Sequence, residues 1–233
     1  MTAIYLIRHG QASFGQQNYD KLSDVGHQQA KLLGNSLQTR IGDFDKVFLG
    51  SMLRHKQTLQ NCLSGMSSVV DESNWNFDAN WNEYDHNDII AQMGPEFTDA
   101  PSVKNWLLTQ NNPKAAFEKL FNDAMNRWMS GQHCEEYVES WERYLNRIKG
   151  ALENVINNAK GAKKVAVFTS GGPISVVSQY LLGIPPSNVM QVNWTLVNCG
   201  ITKLVNTQSR VFLSTLNDHS HFEGQHKSLI TYK

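Results

Sequence analysis

A short apolar run, Ala3-Ile4-Tyr5-Leu6-Ile7, stops abruptly at Arg8-His9-Gly10, and this constrains the fold more than any other feature of the sequence. The run is too short for a buried helix, is rich in aromatic and β-branched residues, and ends at a glycine turn, so it reads as a buried strand. Arg8, His9 and Gly10 then sit at its carboxyl end. The same pattern of apolar strand followed by polar residues recurs at Lys46–Gly50 followed by Ser51–Arg54, and at Lys164–Thr169 followed by Ser170-Gly171-Gly172. Helix signals alternate with these strands. Ser23 or Asp24 caps a helix carrying Ala30, Leu33 and Leu37 at helical spacing, with Gly42 as a stop. Met52–Leu63 reads as a second helix that puts Arg54 and Thr58 on one face. Gly171, Gly172 and Pro173 open another to Leu182, and Val197–Val205 and Arg210–Leu216 read as closing strands. Strands alternating with helices predict an α/β fold, a three-layer sandwich around a mostly parallel sheet.

The interval from Trp75 to about Asn158 has a different texture, with many Trp, Asn and Gln residues, breakers at Pro101 and Pro113, and helical stretches at Ala115–Met129 and Tyr137–Ile156. The strand pattern resumes directly afterwards. The expectation is therefore one domain over residues 1–233 carrying a helical cap insertion at about 84–160. Trp75, Trp81, Trp106, Trp128 and Trp141 are either an aromatic inner surface of that cap or core residues. Lys plus Arg number 21 and Asp plus Glu number 21, a balance that argues against nucleic acid as a partner and against a polybasic membrane anchor. The 3 cysteines, Cys62, Cys134 and Cys199, are widely separated, which suggests a reducing compartment rather than a disulfide framework. The first apolar run is too short for a signal peptide core or a membrane span, so the expected location is cytoplasmic, with no membrane partner.

In open α/β sheets ligands gather beyond the carboxyl ends of the strands. Arg8-His9-Gly10, Ser51–Arg54 and Ser170-Gly171-Gly172 all fall there, and two arginines with the backbone N–H groups of a glycine-rich helix start suit a phosphoryl dianion. The run Leu6-Ile7-Arg8-His9-Gly10-Gln11 resembles the signature of the histidine phosphatase superfamily, the phosphoglycerate mutase-like fold family. Leu22-Ser23-x-x-Gly26-x-x-Gln29-Ala30, Ser51–Thr58 and Asn82-Glu83-Tyr84-Asp85 resemble further blocks of the same family. The resemblance implies His9 as a nucleophile that forms a phosphohistidine, Arg8 and Arg54 as phosphoryl clamps, and Glu83 as proton donor to the leaving group. Ser170 and Gly171 join the phosphate-binding set, and Gln11, Ser13 and Phe14 line the substrate side. It implies a phosphomonoesterase acting without a metal or other cofactor on a small phosphorylated metabolite or phosphoprotein.

Two departures from the family pattern qualify this. Ser170 stands where the family usually carries a second active-site histidine, and a serine hydroxyl donates a hydrogen bond but carries no positive charge. Loss of one such donor lowers rates about 10²- to 10³-fold, so a family member that binds phosphorylated ligands without efficient turnover is an alternative. His86 is the first candidate for a relocated second histidine, against a surface or capping role, and His219 and His221 are weaker candidates. No third ligand stands at metal spacing from that His-x-His pair. His27, His55, His133 and His226 read as solvent-facing. The asparagine of the mutase pattern is also replaced near Gly15, and no extra basic cluster serves a second phosphate, so hydrolysis is favoured over a phosphoglycerate mutase. An edge strand near the C-terminus offers a route to a homodimer.

Overall fold

A computed structural model of the chain describes residues 1–13, 20–68 and 70–232. It divides into two compact units, Met1–Glu83 with Ile148–Lys233, and Tyr84–Arg147. The strands are β1 (Thr2–Arg8), β2 (Lys46–Leu49), β3 (Trp75–Phe77), β4 (Lys164–Thr169), β5 (Ile201–Asn206) and β6 (Val211–Asp218). The helices are α1 (Asp24–Arg40), α2 (Leu53–Met66), α3 (His86–Ala91), α4 (Ala100–Leu108), α5 (Pro113–Met129), α6 (Trp141–Asn158), α7 (Gly171–Leu182) and α8 (Val189–Thr195).

The six strands of the described residues belong to the first unit and form one mixed sheet in the order β3-β2-β4-β1-β5-β6. β1, β2, β3 and β4 run parallel, while β5 and β6 join antiparallel at one side. The mostly parallel sheet flanked by helices agrees with the α/β expectation. β1 and β4 are central, and Ile4, Leu6, Ile7, Val165, Val167 and Phe168 are all fully buried. Such strands have an apolar residue on both faces because helices cover both. On one face Tyr5, Ile7 and Phe168 pack with Leu33 and Leu37 of α1 and Leu59 and Leu63 of α2. Alternation turns Ile4 and Leu6 to the other face.

The structure departs from the sequence reading at element ends. Trp75–Phe77 is an edge strand of the sheet rather than the start of the helical interval. Three residues are too few to show a strand period, and part of its anchorage is a side-chain bond from Asn76 Nδ2 to the Val47 carbonyl (2.9 Å). The strand expected from Val197 begins at Ile201, because Val197–Gly200 turns with Cys199 at a φ of 59°. α6 begins at Trp141 rather than Tyr137.

In the second unit Trp128 and Trp141 are buried with Tyr84 and Tyr144. Their ring centroids lie 4.9 Å apart for Trp128 and Trp141, edge-on, and 5.4 Å apart for Tyr84 and Trp128, tilted, an aromatic cluster of the kind that fills cores. Trp106 stacks edge-on against Phe97, and Trp81 is fully buried in the first unit, so these residues are packing elements. Among the described residues, no helix is long and apolar enough to cross a membrane.

Candidate active site

The end of β1 is held from both sides. His9 N donates to the Thr169 carbonyl of β4 (2.9 Å), while Asn198 Nδ2 and Cys199 N donate to the His9 carbonyl (3.0 and 3.3 Å). Gly10 N donates to Thr58 Oγ1 (3.0 Å), which itself donates to the Arg54 carbonyl (2.6 Å). A Cβ on Gly10 would lie 2.6 Å from the Gly26 carbonyl oxygen, so only glycine lets the chain pass this close to the first turn of α1. The backbone around His9 is therefore rigidly placed before any side chain acts.

His9 is buried, and its Nδ1 lies 2.7 Å from the Gly10 carbonyl oxygen. A carbonyl only accepts, so Nδ1 carries the proton and the lone pair of the neutral ring resides on Nε2. Burial holds the His9 pKa well below the ordinary histidine value, and the positive fields of Arg54 and Arg8, together with His55, push it the same way. Near pH 7 the ring is neutral with one nucleophilic nitrogen.

The two arginines that depress His9 come from different strand ends. Arg8 Nη1 donates to the Leu196 carbonyl and to the Tyr232 carbonyl (3.0 Å). Arg54, in the first turn of α2, is buried, and its Nη1 meets Asp20 Oδ1 at 2.9 Å. The other Asp20 oxygen accepts from Leu53 N (2.8 Å) and so caps α2, whose N-cap residue Met52 has no side-chain acceptor. Asp20 escaped the sequence reading because this capping residue lies far from the helix it caps. By contrast α1 is capped by Ser23, whose hydroxyl accepts from Gly26 N (3.1 Å), as its sequence predicts.

His55 corrects the sequence reading most strongly. It was expected to face solvent, but it is fully buried. Its ring centroid lies 5.8 Å from that of His9, and its Nε2 lies 2.7 Å from Ser170 Oγ. Helix α2 starts at a strand end, so its first turn points inward, and the polar run around His55 gave no sign of this. Burial and the Arg54 charge hold the His55 pKa well below its ordinary value. The Gly50 backbone opposes that shift only in part, and Nδ1 makes no well-aligned hydrogen bond.

The remaining expected residues are distributed as follows. Glu83 Oε2 accepts from Gly172 N (3.1 Å) at the start of α7. Gly171 brings its backbone close to Asn193, whose Oδ1 would lie 2.3 Å from a Cβ there. Gln11 and Ser13 hold the loop together: Gln11 Oε1 accepts from Ser23 Oγ (2.8 Å), and Ser13 Oγ donates to the Leu22 carbonyl (3.0 Å). Phe14 and Gly15 lie outside the described residues. His86 is the first residue of α3 in the second unit, behind its N-cap Asp85. His219 and His221 follow β6 beside the Arg40–Asp218 ion pair, with the half-buried His221 pushed down to about 4 by desolvation. Of the other histidines, His27 Nδ1 contacts Asn61 Nδ2 (3.0 Å), His133 pairs with Glu136 (3.0 Å) and His226 is half-buried.

Asn198 was also missed, and no local signal marks it. Besides holding the His9 carbonyl, its Oδ1 accepts from Thr231 Oγ1 (2.8 Å), which in turn accepts from Gln29 Nε2 (2.8 Å). Gln29 Oε1 accepts from Gln11 N (2.8 Å), closing a ring of polar contacts behind the His9 loop.

The fold is similar to that of several solved structures. A phosphoserine phosphatase mutant from Entamoeba histolytica, in complex with phosphoserine, aligns with a TM-score of 0.65 at 19% identity, covering 95% of this chain and 99% of that one. A phosphoglycerate mutase from Bacillus anthracis aligns at 0.64 and 17% identity, covering 94% of each chain. A putative alpha-ribazole-5'-P phosphatase from Escherichia coli aligns at 0.65 and 16% identity, covering 94% of this chain and 98% of that one. A model of the histidine phosphatase superfamily, branch 1, matches residues 4–219. With that match running from the first strand past the last, the chain belongs to the histidine phosphatase superfamily, branch 1.

Proposed function

We propose that the chain is a phosphomonoesterase that works through a phosphohistidine on His9 and acts on a small phosphorylated metabolite or a phosphoprotein. The observation that carries this reading is the 2.7 Å contact of His9 Nδ1 with the Gly10 carbonyl, which leaves the Nε2 lone pair for phosphorus. Nε2 attacks, the bond from phosphorus to the ester oxygen breaks, and Glu83 gives the departing oxygen a proton. Water then attacks phosphorus, the P–N bond breaks, and the proton it sheds returns to Glu83. The Gly172 N–H bond to Glu83 fixes the position of that side chain at the start of α7. Arg8 and Arg54 meet the phosphoryl oxygens as charge moves onto them, aided by Ser170 and the Gly171 backbone. Phosphatases among the structural relatives support hydrolysis, and the sequence departs from the mutase pattern near Gly15.

A second reading, binding of phosphorylated ligands without efficient turnover, is favoured by the serine at position 170. One experiment separates the two. With a ³²P-labelled aryl phosphate, quenched turnover should trap an acid-labile, alkali-stable phosphoramidate on His9, and His9→Ala should lower kcat about 10⁴-fold or more. Retained turnover in His9→Ala overturns the proposed mechanism. Binding of phosphomonoesters with no turnover by the unmutated chain selects the second reading.

A further inference from the structure

We propose that His55 stands in for the histidine expected at position 170, as a positioning residue that acts on the phosphoryl group through the Ser170 hydroxyl. This rests on the phosphohistidine reading of His9. Ser170 and His9 are neighbours across parallel strands, each one residue beyond the register pair Arg8↔Thr169. A serine there brings a hydroxyl to the place where the family usually brings a ring, and His55 Nε2 meets that hydroxyl at 2.7 Å.

Three features show that the pair is built rather than incidental. First, Ser170 is the N-cap of α7, a position where a serine hydroxyl ordinarily accepts from the helix's own second or third N–H. It makes no such bond here. The Gly172 N–H it would serve goes to Glu83 Oε2, which leaves the Ser170 hydroxyl to His55. Second, Ser170 and His55 are both fully buried, so the bond is shielded from competing water. Third, Gly50 makes room for the ring: a Cβ there would lie 2.3 Å from His55 Nδ1.

The chemistry follows from which atom donates. In the tautomer this requires, Nε2–H of His55 donates to Ser170 Oγ at 2.7 Å. A hydroxyl that accepts from the ring keeps its own proton for a phosphoryl oxygen. Each bond in such a chain polarises the next, so the serine becomes a stronger donor than it would be alone. The displaced histidine therefore contributes through one intervening oxygen.

A double-mutant cycle on kcat for aryl phosphate hydrolysis tests this. His55→Ala and Ser170→Ala should each lower kcat about 10²-fold. Because they remove one chain of bonds, the double variant should fall no more than about threefold below the worse single variant. His55→Gln places an amide N–H near the position of Nε2 and should recover at least about tenfold over His55→Ala, which loss of packing alone would not predict. If His55→Ala does not fold by thermal denaturation, His55→Phe keeps the ring volume without the nitrogens and completes the cycle. A folded His55→Ala or His55→Phe with wild-type kcat, losses that multiply in the double variant, or no recovery in His55→Gln each overturns the inference. Failure of the phosphohistidine reading is distinct, because it appears as turnover retained in His9→Ala.

Discussion

The carboxyl ends of β1 and β2 each deliver a buried histidine to the same neighbourhood, but the two rings are held in different ways. His9 is oriented by the carbonyl of the next residue, and its backbone is clamped by β4 on one side and the Val197–Gly200 turn on the other. His55 is oriented by Ser170, 115 positions away, and depends on a helix start that is itself capped by the distant Asp20. One histidine carries its instructions in adjacent residues. The other is positioned only when three separated segments meet. A local device suits the proposed nucleophile, whose tautomer must be set whatever else moves, whereas a distant device couples the second ring to the correct assembly of β2, β4 and α2.

The largest expected effect on this comparison comes from Arg54, whose charge acts on both rings. Arg54→Gln should lower kcat/KM about 10²- to 10³-fold through loss of a phosphoryl donor. A loss below about tenfold in steady-state assays would detach Arg54 from the site.

Next in size is the dependence of stability on pH. His9 and His55 both have folded-state pKa values below the ordinary 6.5. As the pH falls through the unfolded value, the unfolded chain takes up protons that the native rings refuse, so stability is complete above it and declines below it. Each buried histidine contributes a slope of about 1.4 kcal/mol per pH unit until its folded pKa is reached. His221, held at about 4, adds to the same decline between 6.5 and 4. Urea unfolding at successive pH values should show His55→Gln losing one histidine's share of that slope. An unchanged slope would contradict a neutral, buried His55.

The smallest effect should come from Asp20→Asn, which weakens the β2 side while leaving the Ser23-capped start of α1 intact. Part of its carboxylate is exposed, at 38% of its side-chain surface, so the ion pair with Arg54 is partly screened. Cap and pair together should stabilise the fold by about 0.5–1 kcal/mol, read from the urea midpoint. An unchanged midpoint would mean that α2 keeps its position, and His55 its place, without help from Asp20.

Most of the architecture was legible before the structure. The apolar runs at Ala3–Ile7 and Lys164–Thr169 read as strands, and Ser23 or Asp24 marked the start of α1, because these signals act between neighbours in the chain. The three-residue β3 and the late start of β5 were not, since a strand that short is made by its neighbours and Val197–Gly200 turns to wrap the His9 backbone. His55 was hidden for a related reason. A histidine in the first turn of a polar helix segment looks exposed until the sheet end it abuts is known.

The sequence by itself determined the alternation of strands and helices, the placing of Arg8, His9 and Arg54 at strand ends, and the glycines that permit close approach there, because backbone conformation and hydrophobic period are local properties. Tertiary structure alone decided which side chains share a hydrogen bond: Asp20 with Arg54 and the start of α2, Asn198 with the carbonyl of His9, and His55 with Ser170. A hydrogen bond requires two groups within about 3 Å in the right direction, and for residues far apart in the chain only packing of the sheet and its helices sets that distance.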